Sequence, residues 1–167
     1  MSGGGPPVRV GHGLDVHAFA PGRKLILGGV EIASERGLAG HSDADVLSHA
    51  VCNAALGAAG LGDLGTHFPD SDPSLRGVSG AALLGCVRGK LADAGLRVCQ
   101  VDATVLAQAP RLSPYTEKMS ANLAKALGAD PAFVNVKAVT TEKLGFVGRE
   151  EGIEAQAVVV VVPAAAG

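Results

Sequence analysis

The sequence predicts an α/β (α+β) fold in one compact domain, and three observations carry that reading. A length of 167 residues with 47 % hydrophobic content suffices for one substantial core and is too apolar for a disordered chain. Apolar runs of period two alternate along the chain with runs of helical period. The chain also nears its end on five consecutive valines, 158–162, a pattern expected of a strand buried on both faces.

Residues 1–7, MSGGGPP, read as a flexible tail, and residues 8–163 as the single domain. Residues 8–18 form the first expected strand, loosened by Gly11 and Gly13, and residues two apart share a face, so Asp15 and His17 project together. Gly28-Gly29 between two apolar runs predicts a hairpin over 24–32. Residues 34–40 read as a lead into the next helix. Ser42 followed by Asp45 resembles a capping box, so that helix should begin near Ser42. Val46, Leu47, Ala50, Val51, Ala54 and Ala58 give it one apolar face, while Asp45, His49 and Asn53 fall one turn apart on a polar stripe. Gly60 and Gly62 stop it before an Asp- and Pro-rich loop.

A second helix is expected over 79–94, with Ala82, Leu83, Val87 and Leu91 inward, Lys90 and Asp93 outward and Gly95 as the stop. A strand over 96–107, a Pro-punctuated loop over 108–114, a helix over 115–127, a strand over 135–139 and the closing strand over 153–162 complete the order. No internal repeat or second domain is visible.

A net charge of -2 with 3 % aromatic residues supplies no basic, stacking surface, which argues against a nucleic-acid partner. Cys52, Cys86 and Cys99 are odd in number and lack C-x-x-C spacing, so buried free thiols in a reducing compartment are expected. Nothing resembles a signal peptide or a membrane span, and a cytoplasmic location follows as the expectation.

Several motifs fail on context. Residues 60–65 match G-x-G-x-x-G, but the dinucleotide fingerprint needs a strand before it, and a helix is expected there. The phosphate-binding GxxxxGK[ST] loop and the Gly-x-Ser-x-Gly elbow are absent. Asp15, His17 and His49 do supply one carboxylate and two imidazoles, a three-ligand set that leaves a fourth tetrahedral position for a substrate oxygen and suits a catalytic zinc. Thr140, Thr141 and Glu142 at a strand end combine hydroxyls with a carboxylate, suited to phosphate oxygens and a bridging Mg²⁺, and Arg111 and Arg149 add cationic forks. Taken singly, each group also describes an ordinary capped helix, a satisfied histidine or a Thr-rich turn.

Six long motifs in one order are far more specific: GHGLDVHAF, LGGVEI, GLAGHSDADVLSHA, LGDLGTHFPDSDP, VDATVLAQAPRLSP and VKAVTTEKLGFVGREEGI. Over residues 8–162 they resemble the 2-C-methyl-D-erythritol 2,4-cyclodiphosphate synthase family of the non-mevalonate isoprenoid pathway. The resemblance implies a four-stranded sheet with helices on one face, in a homotrimer with a central cavity and an active site between each pair of subunits. It implies one Zn²⁺ per subunit on Asp15, His17 and His49, a second ion, Mg²⁺ or Mn²⁺, on Glu142, and transition-state stabilisation by His41 and Thr140. Ser42, Asp63, Gly65, Phe68, Pro69, Asp70, Ser71 and Asp72 would hold the methylerythritol phosphate end, and Asp15, His17, His41 and Leu64 would also contact the substrate. Ala107, Gln108, Ala109, Pro110, Arg111, Leu112 and Ser113, with Val139, Thr140, Thr141 and Glu142, would take the cytidine and diphosphate. Phe146, Arg149 and Glu151 correspond to the central cavity, which in relatives can hold an isoprenoid diphosphate. Asn53 stands where relatives commonly carry Asp, and Leu14 where some carry Phe.

The family reaction is a cyclisation in which the substrate's 2-phosphate attacks the β-phosphorus and CMP leaves. A phosphate monoester with a second pKa of about 6 is already largely ionised near neutral pH, so a general base is dispensable. Folding the flexible substrate is the larger task, because well-oriented intramolecular reactions reach effective molarities of about 10⁵ to 10⁸ M. Two other readings fit the same residues: a metal-dependent phosphohydrolase, since a three-ligand zinc also makes hydroxide, and a non-catalytic trimer that binds a nucleotide or isoprenoid diphosphate.

Overall fold

Gly11 and Gly13 set the spacing of the first two layers. The structure, a computed structural model, describes residues 8–164, so the expected tail at 1–7 lies outside the described residues. In strand β1 (Arg9–Pro21) both glycines face helix α1 (Val46–Ala59). A Cβ on Gly11 would lie 2.0 Å from the Ala54 carbonyl oxygen, and one on Gly13 2.0 Å from that of Ala50. Only glycine lets the helix backbone sit this close to the strand.

The hairpin is formed as expected by β2 (Leu25–Leu27) and β3 (Val30–Ile32), with Gly28 and Gly29 both at positive φ in its two-residue turn. The stretch read as a lead-in contains another strand, β4 (Arg36–Leu38), which pairs antiparallel with the end of β1. Three residues around a glycine are too short for a periodic signal. Together with β5 (Leu96–Leu106), β6 (Val134–Val139) and β7 (Gly152–Pro163), it makes the main sheet five-stranded rather than four-stranded, in the order β4-β1-β7-β5-β6. The β5–β6 pair is parallel, and the other pairs of this sheet are antiparallel.

Helix α1 begins at Val46, not near Ser42, because the buried Asp45 carboxylate provides the cap by accepting the Ser48 N–H at 3.0 Å. The same carboxylate accepts the N–H groups of Gly28 and Gly29 and the Ser48 hydroxyl, which ties the hairpin turn to the helix start. Burial pushes the Asp45 carboxyl up, against these four donors. The helix is also buried nearly all round rather than on one face, because α2 (Leu64–His67) and α3 (Gly80–Asp93) cover the side away from the sheet. In α3 the inward positions are Leu83, Leu84, Val87 and Leu91, whereas Ala82, expected inward, is exposed on the first turn. Helix α4 (Thr116–Leu127) packs on α3 and β6.

Across β1, β7, β5 and β6, Gly13, Ala157, Ala103 and Val136 lie in one row on the helix-covered face. The other face is open, so β7 alternates and the expectation of burial on both sides fails for the single chain: Val159 and Val161 are buried, while Val158 is exposed. Of the three free thiols only Cys52 is buried; Cys86 lies exposed on α3, and Cys99 is half-buried at an irregularity in β5. Among the described residues no helix is long and apolar enough to cross a membrane.

Candidate functional site

Where β1 passes beyond its two glycines, side chains fill the space between strand and helix. Asp15 and His17 continue the helix-facing side of β1, and His49 comes from the first turn of α1. Asp15 Oδ2 lies 3.0 Å from His17 Nε2 and 3.0 Å from His49 Nδ1, and the two nitrogens are 3.2 Å apart. These edges fall just below the roughly 3.3 Å expected between ligands of a tetrahedral ion with bonds of about 2.05 Å.

The far nitrogen of each imidazole has an oxygen partner. His17 Nδ1 faces the Ala39 carbonyl, which can only accept, so Nδ1 carries the proton and Nε2 keeps its lone pair. His49 Nε2 donates to Ser42 Oγ at 3.1 Å when Nδ1 serves as ligand, and Ser42 Oγ also accepts the Ala44 N–H at 3.0 Å. With both of its lone pairs engaged, the Ser42 hydroxyl has its own proton left to donate. Such outer partners fix the tautomers a metal ion requires, and the donor set fits zinc. Burial would raise the Asp15 carboxyl, but in the metal-free site the hydrogen bonds and charge that His17 and His49 supply when protonated outweigh it and hold the group at about 2. Burial would lower His17, but Asp15 beside it raises it above its ordinary 6.5.

The cluster lies at one end of a cleft of about 380 Å³ whose lining also includes His41, Ser42, Asn53, Asp63, Leu64, Gly65, Phe68 and Asp70. His41 Nε2 is buried without a protein partner, an unsatisfied polar atom on a residue that lines the cleft. Asn53 Oδ1 accepts the Leu64 N–H at 2.8 Å and so holds the cleft wall on α1. Asp63 caps α2 through the Thr66 N–H and hydroxyl, and Asp72 caps a short turn at Pro73–Leu75. Pro69, Ser71 and Asp72 do not line this cleft.

The other predicted residues gather in a second cavity of about 270 Å³, lined by Ala107, Gln108, Pro110, Arg111, Leu112, Ser113, Val139 and Thr140. Ala109, Thr141 and Glu142 fall outside that lining. Gln108 Oε1 accepts the Lys143 N–H at 3.0 Å, and Ala107 donates to the Val139 carbonyl, so the two loops are held as one unit. Thr140 Oγ1 donates to Glu142 Oε1 at 3.2 Å, and Glu142 and Lys143 both adopt positive φ, a strained turn of the kind found where backbone is shaped for a ligand. The structure does not bring Glu142 to Asp15, His17 and His49. Phe146 belongs to the short helix α5 (Gly145–Gly148), and the exposed Arg149 pairs with Glu151 at 2.8 Å.

Two contributors carried no readable signal in the sequence. The Ala39 carbonyl, which faces His17, is backbone, with no residue identity to read, and Arg23 looks like an ordinary turn cation, yet it donates to the Gly40 and Ser42 carbonyls beside the cleft.

The chain matches the model of the YgbB family over residues 8–162. It is 56 % identical over 151 residues to a 2-C-methyl-D-erythritol 2,4-cyclodiphosphate synthase of Thiobacillus denitrificans, covering 90 % of this chain and 94 % of that protein. It is 57 % identical over 159 residues to a bifunctional enzyme IspD/IspF of Anaeromyxobacter dehalogenans, covering 95 % of this chain and 41 % of that longer protein. The solved IspF of Plasmodium falciparum in complex with CDP superposes with a TM-score of 0.83 at 30 % identity, over 96 % of this chain and 99 % of that one. Sequence, fold and the clustered Asp15, His17 and His49 agree: the chain belongs to the YgbB family, the family of the 2-C-methyl-D-erythritol 2,4-cyclodiphosphate synthases.

Proposed function

We propose that residues 8–163 convert 4-diphosphocytidyl-2-C-methyl-D-erythritol 2-phosphate into 2-C-methyl-D-erythritol 2,4-cyclodiphosphate and CMP. The observation that carries this reading is the Asp15, His17 and His49 triangle with both imidazole tautomers set, opening on a cleft of about 380 Å³. Asp15, His17 and His49 hold one zinc ion per chain, and Glu142 holds Mg²⁺ or Mn²⁺. Ions bound there supply Lewis acidity to the phosphate oxygens. The residues themselves bind and orient: Ser42 donates its free proton to the methylerythritol phosphate, Leu64, Gly65 and Phe68 shape its pocket, and His41, together with the Thr140 hydroxyl once it turns from Glu142, donates to oxygens that gain charge at the reacting phosphorus. The loop 107–113 reads the cytidine. An oxygen of the 2-phosphate bonds to the β-phosphorus as the bridge to the α-phosphorus breaks, and the electron pair leaves on CMP.

A homotrimer completes the site. His17 pairs with Ile153, the next residue of β7, Glu154, pairs with Leu106, and Leu106 pairs with Val139, so the two cavities are lined from the same end of the sheet. Within one chain, however, β1 and β6 are three strand spacings apart, about 14 Å. A neighbouring copy can bring its nucleotide cavity to the metal cleft, and the apolar open face supports such an assembly: Val10, Leu14, Val16 and Val158 are all exposed. An isoprenoid diphosphate on the trimer axis near Phe146 would compete with Glu151 for Arg149. The three cysteines form no disulfide, which fits a reducing cytoplasm.

Phosphorus NMR separates cyclisation from hydrolysis. With the diphosphocytidyl substrate and both metals, CMP should appear together with two mutually coupled resonances of a cyclic diphosphate, and ¹⁸O-water should label neither product. An open-chain bisphosphate carrying ¹⁸O would make the chain a hydrolase.

A further inference from the structure

Between β4 and α1 the chain has no regular structure, yet this short segment brings three functions to the metal cleft. The Ala39 carbonyl fixes the His17 tautomer, His41 lines the cleft with its Nε2 buried and unpartnered, and Ser42 bonds His49. Few backbone bonds hold it. Ala39 donates to the Ala18 carbonyl at 2.8 Å before the segment, and Asp43 donates to Val78 at 3.1 Å after it. Between them the His41 carbonyl accepts the Gly77 N–H at 3.0 Å. The remaining two carbonyls, those of Gly40 and Ser42, accept from one side chain: Arg23 Nη1 donates to Gly40 O at 2.6 Å and Nη2 to Ser42 O at 2.8 Å.

We infer that Arg23 is a positioning residue for this site, acting as a two-pronged clamp on the carbonyls either side of His41. The planar fork holds two acceptors at a fixed separation, which a lysine ammonium on a flexible stem cannot reproduce. The segment also packs without slack on a ligand, since a Cβ on Gly40 would lie 3.1 Å from His17 Cε1. Release of the clamp therefore frees His41 and loosens the partners of both ligand histidines together. Arg23 touches neither the ligand atoms nor the reacting groups. Its role rests on the proposed function for its catalytic consequence, but not for its effect on the segment.

The test uses Arg23→Ala and Arg23→Lys in the full chain, with two readouts. Amide hydrogen exchange of the metal-free protein reports on the segment without reference to any activity. In Arg23→Ala, exchange at Asp43, Ala44 and Gly77 should quicken about tenfold while α1 keeps its protection. Zinc competition against a chromophoric chelator should show affinity lowered about 10- to 100-fold, the range found for lost outer-shell partners. Arg23→Lys should resemble Ala in both, because the second carbonyl remains unheld, and in kinetics kcat should fall more than KM rises. Wild-type exchange in both variants, or quickened exchange with unchanged zinc affinity, would overturn the inference. Should Arg23→Ala unfold, Arg23→Lys decides alone by the same two readouts. Wild-type turnover without zinc would remove the metal assignment, while exchange would still show whether Arg23 holds the segment.

Discussion

At the scale of single residues, the site depends on which nitrogen of each histidine is free. His49 offers Nδ1 because Ser42 Oγ accepts the hydrogen bond from its Nε2–H, and His49 is the α1 residue in the three-ligand cluster. Replacing His49 by Ala should therefore remove zinc and activity together; full zinc by elemental analysis in that variant would end the assignment. Asn53 contributes an acceptor to the Leu64 N–H, and a carboxylate oxygen accepts equally well. Asn53→Asp should leave kcat/KM within about tenfold, roughly 1.4 kcal/mol of barrier, whereas a larger loss would mean that residue 53 meets the transition state. Protons compete with the metal at His17, whose pKa lies above 6.5 through its contact with Asp15. The apparent zinc affinity should accordingly weaken as the pH drops below that raised value, read by equilibrium dialysis against a competing chelator from pH 8 to 5.

Among the elements, the hairpin and α1 are joined by one carboxylate. Asp45 is fully buried and satisfies two turn N–H groups, the helix cap and the Ser48 hydroxyl. An Asp45→Ala variant leaves several buried donors without partners, each worth about 1–3 kcal/mol in desolvation. Destabilisation of about 3 kcal/mol or more is expected in urea unfolding, where a loss under 1 kcal/mol would show that water replaces the carboxylate. Sequence pattern placed this helix and put His49 and Asn53 on its site-facing side, but misjudged its start and counted in the same stripe Asp45, which is the buried cap. Ser42 and Asp45 both suit a cap, and only the hairpin turn arriving at Asp45 selects between them. Strand β4 escaped notice for a similar reason, since its pairing with the end of β1 is made by tertiary contact and not by a local run.

For the whole molecule, the open sheet face is the feature with the largest consequence. Val158 is 40 % exposed in the chain alone, so Val158→Glu should alter the stability of an isolated subunit little. In a trimer closed through that face it buries like charges against one another. Analytical ultracentrifugation should then find subunits in place of trimers, with activity lost because metal cleft and nucleotide cavity no longer meet. A variant that stays trimeric and active would place the interface elsewhere. The same face explains the run of valines: Val159 and Val161 pack under the helices, Val160 and Val162 are half-buried on the open face, and Val158 is exposed there, where the proposed trimer would cover it.

The sequence by itself determined the order and kind of the main elements, the Gly28-Gly29 hairpin and the identity of the Asp15, His17 and His49 set, because alternation, helical spacing, turn chemistry and long motifs are local properties. Tertiary structure alone decided how those three side chains meet within 3.2 Å, that Arg23 and the Ala39 carbonyl stand behind them, and that Glu142 lies apart from them. These depend on where β1, α1 and the 39–42 segment cross in space. Contacts between residues 17 to 34 positions apart leave no period in the chain to be read.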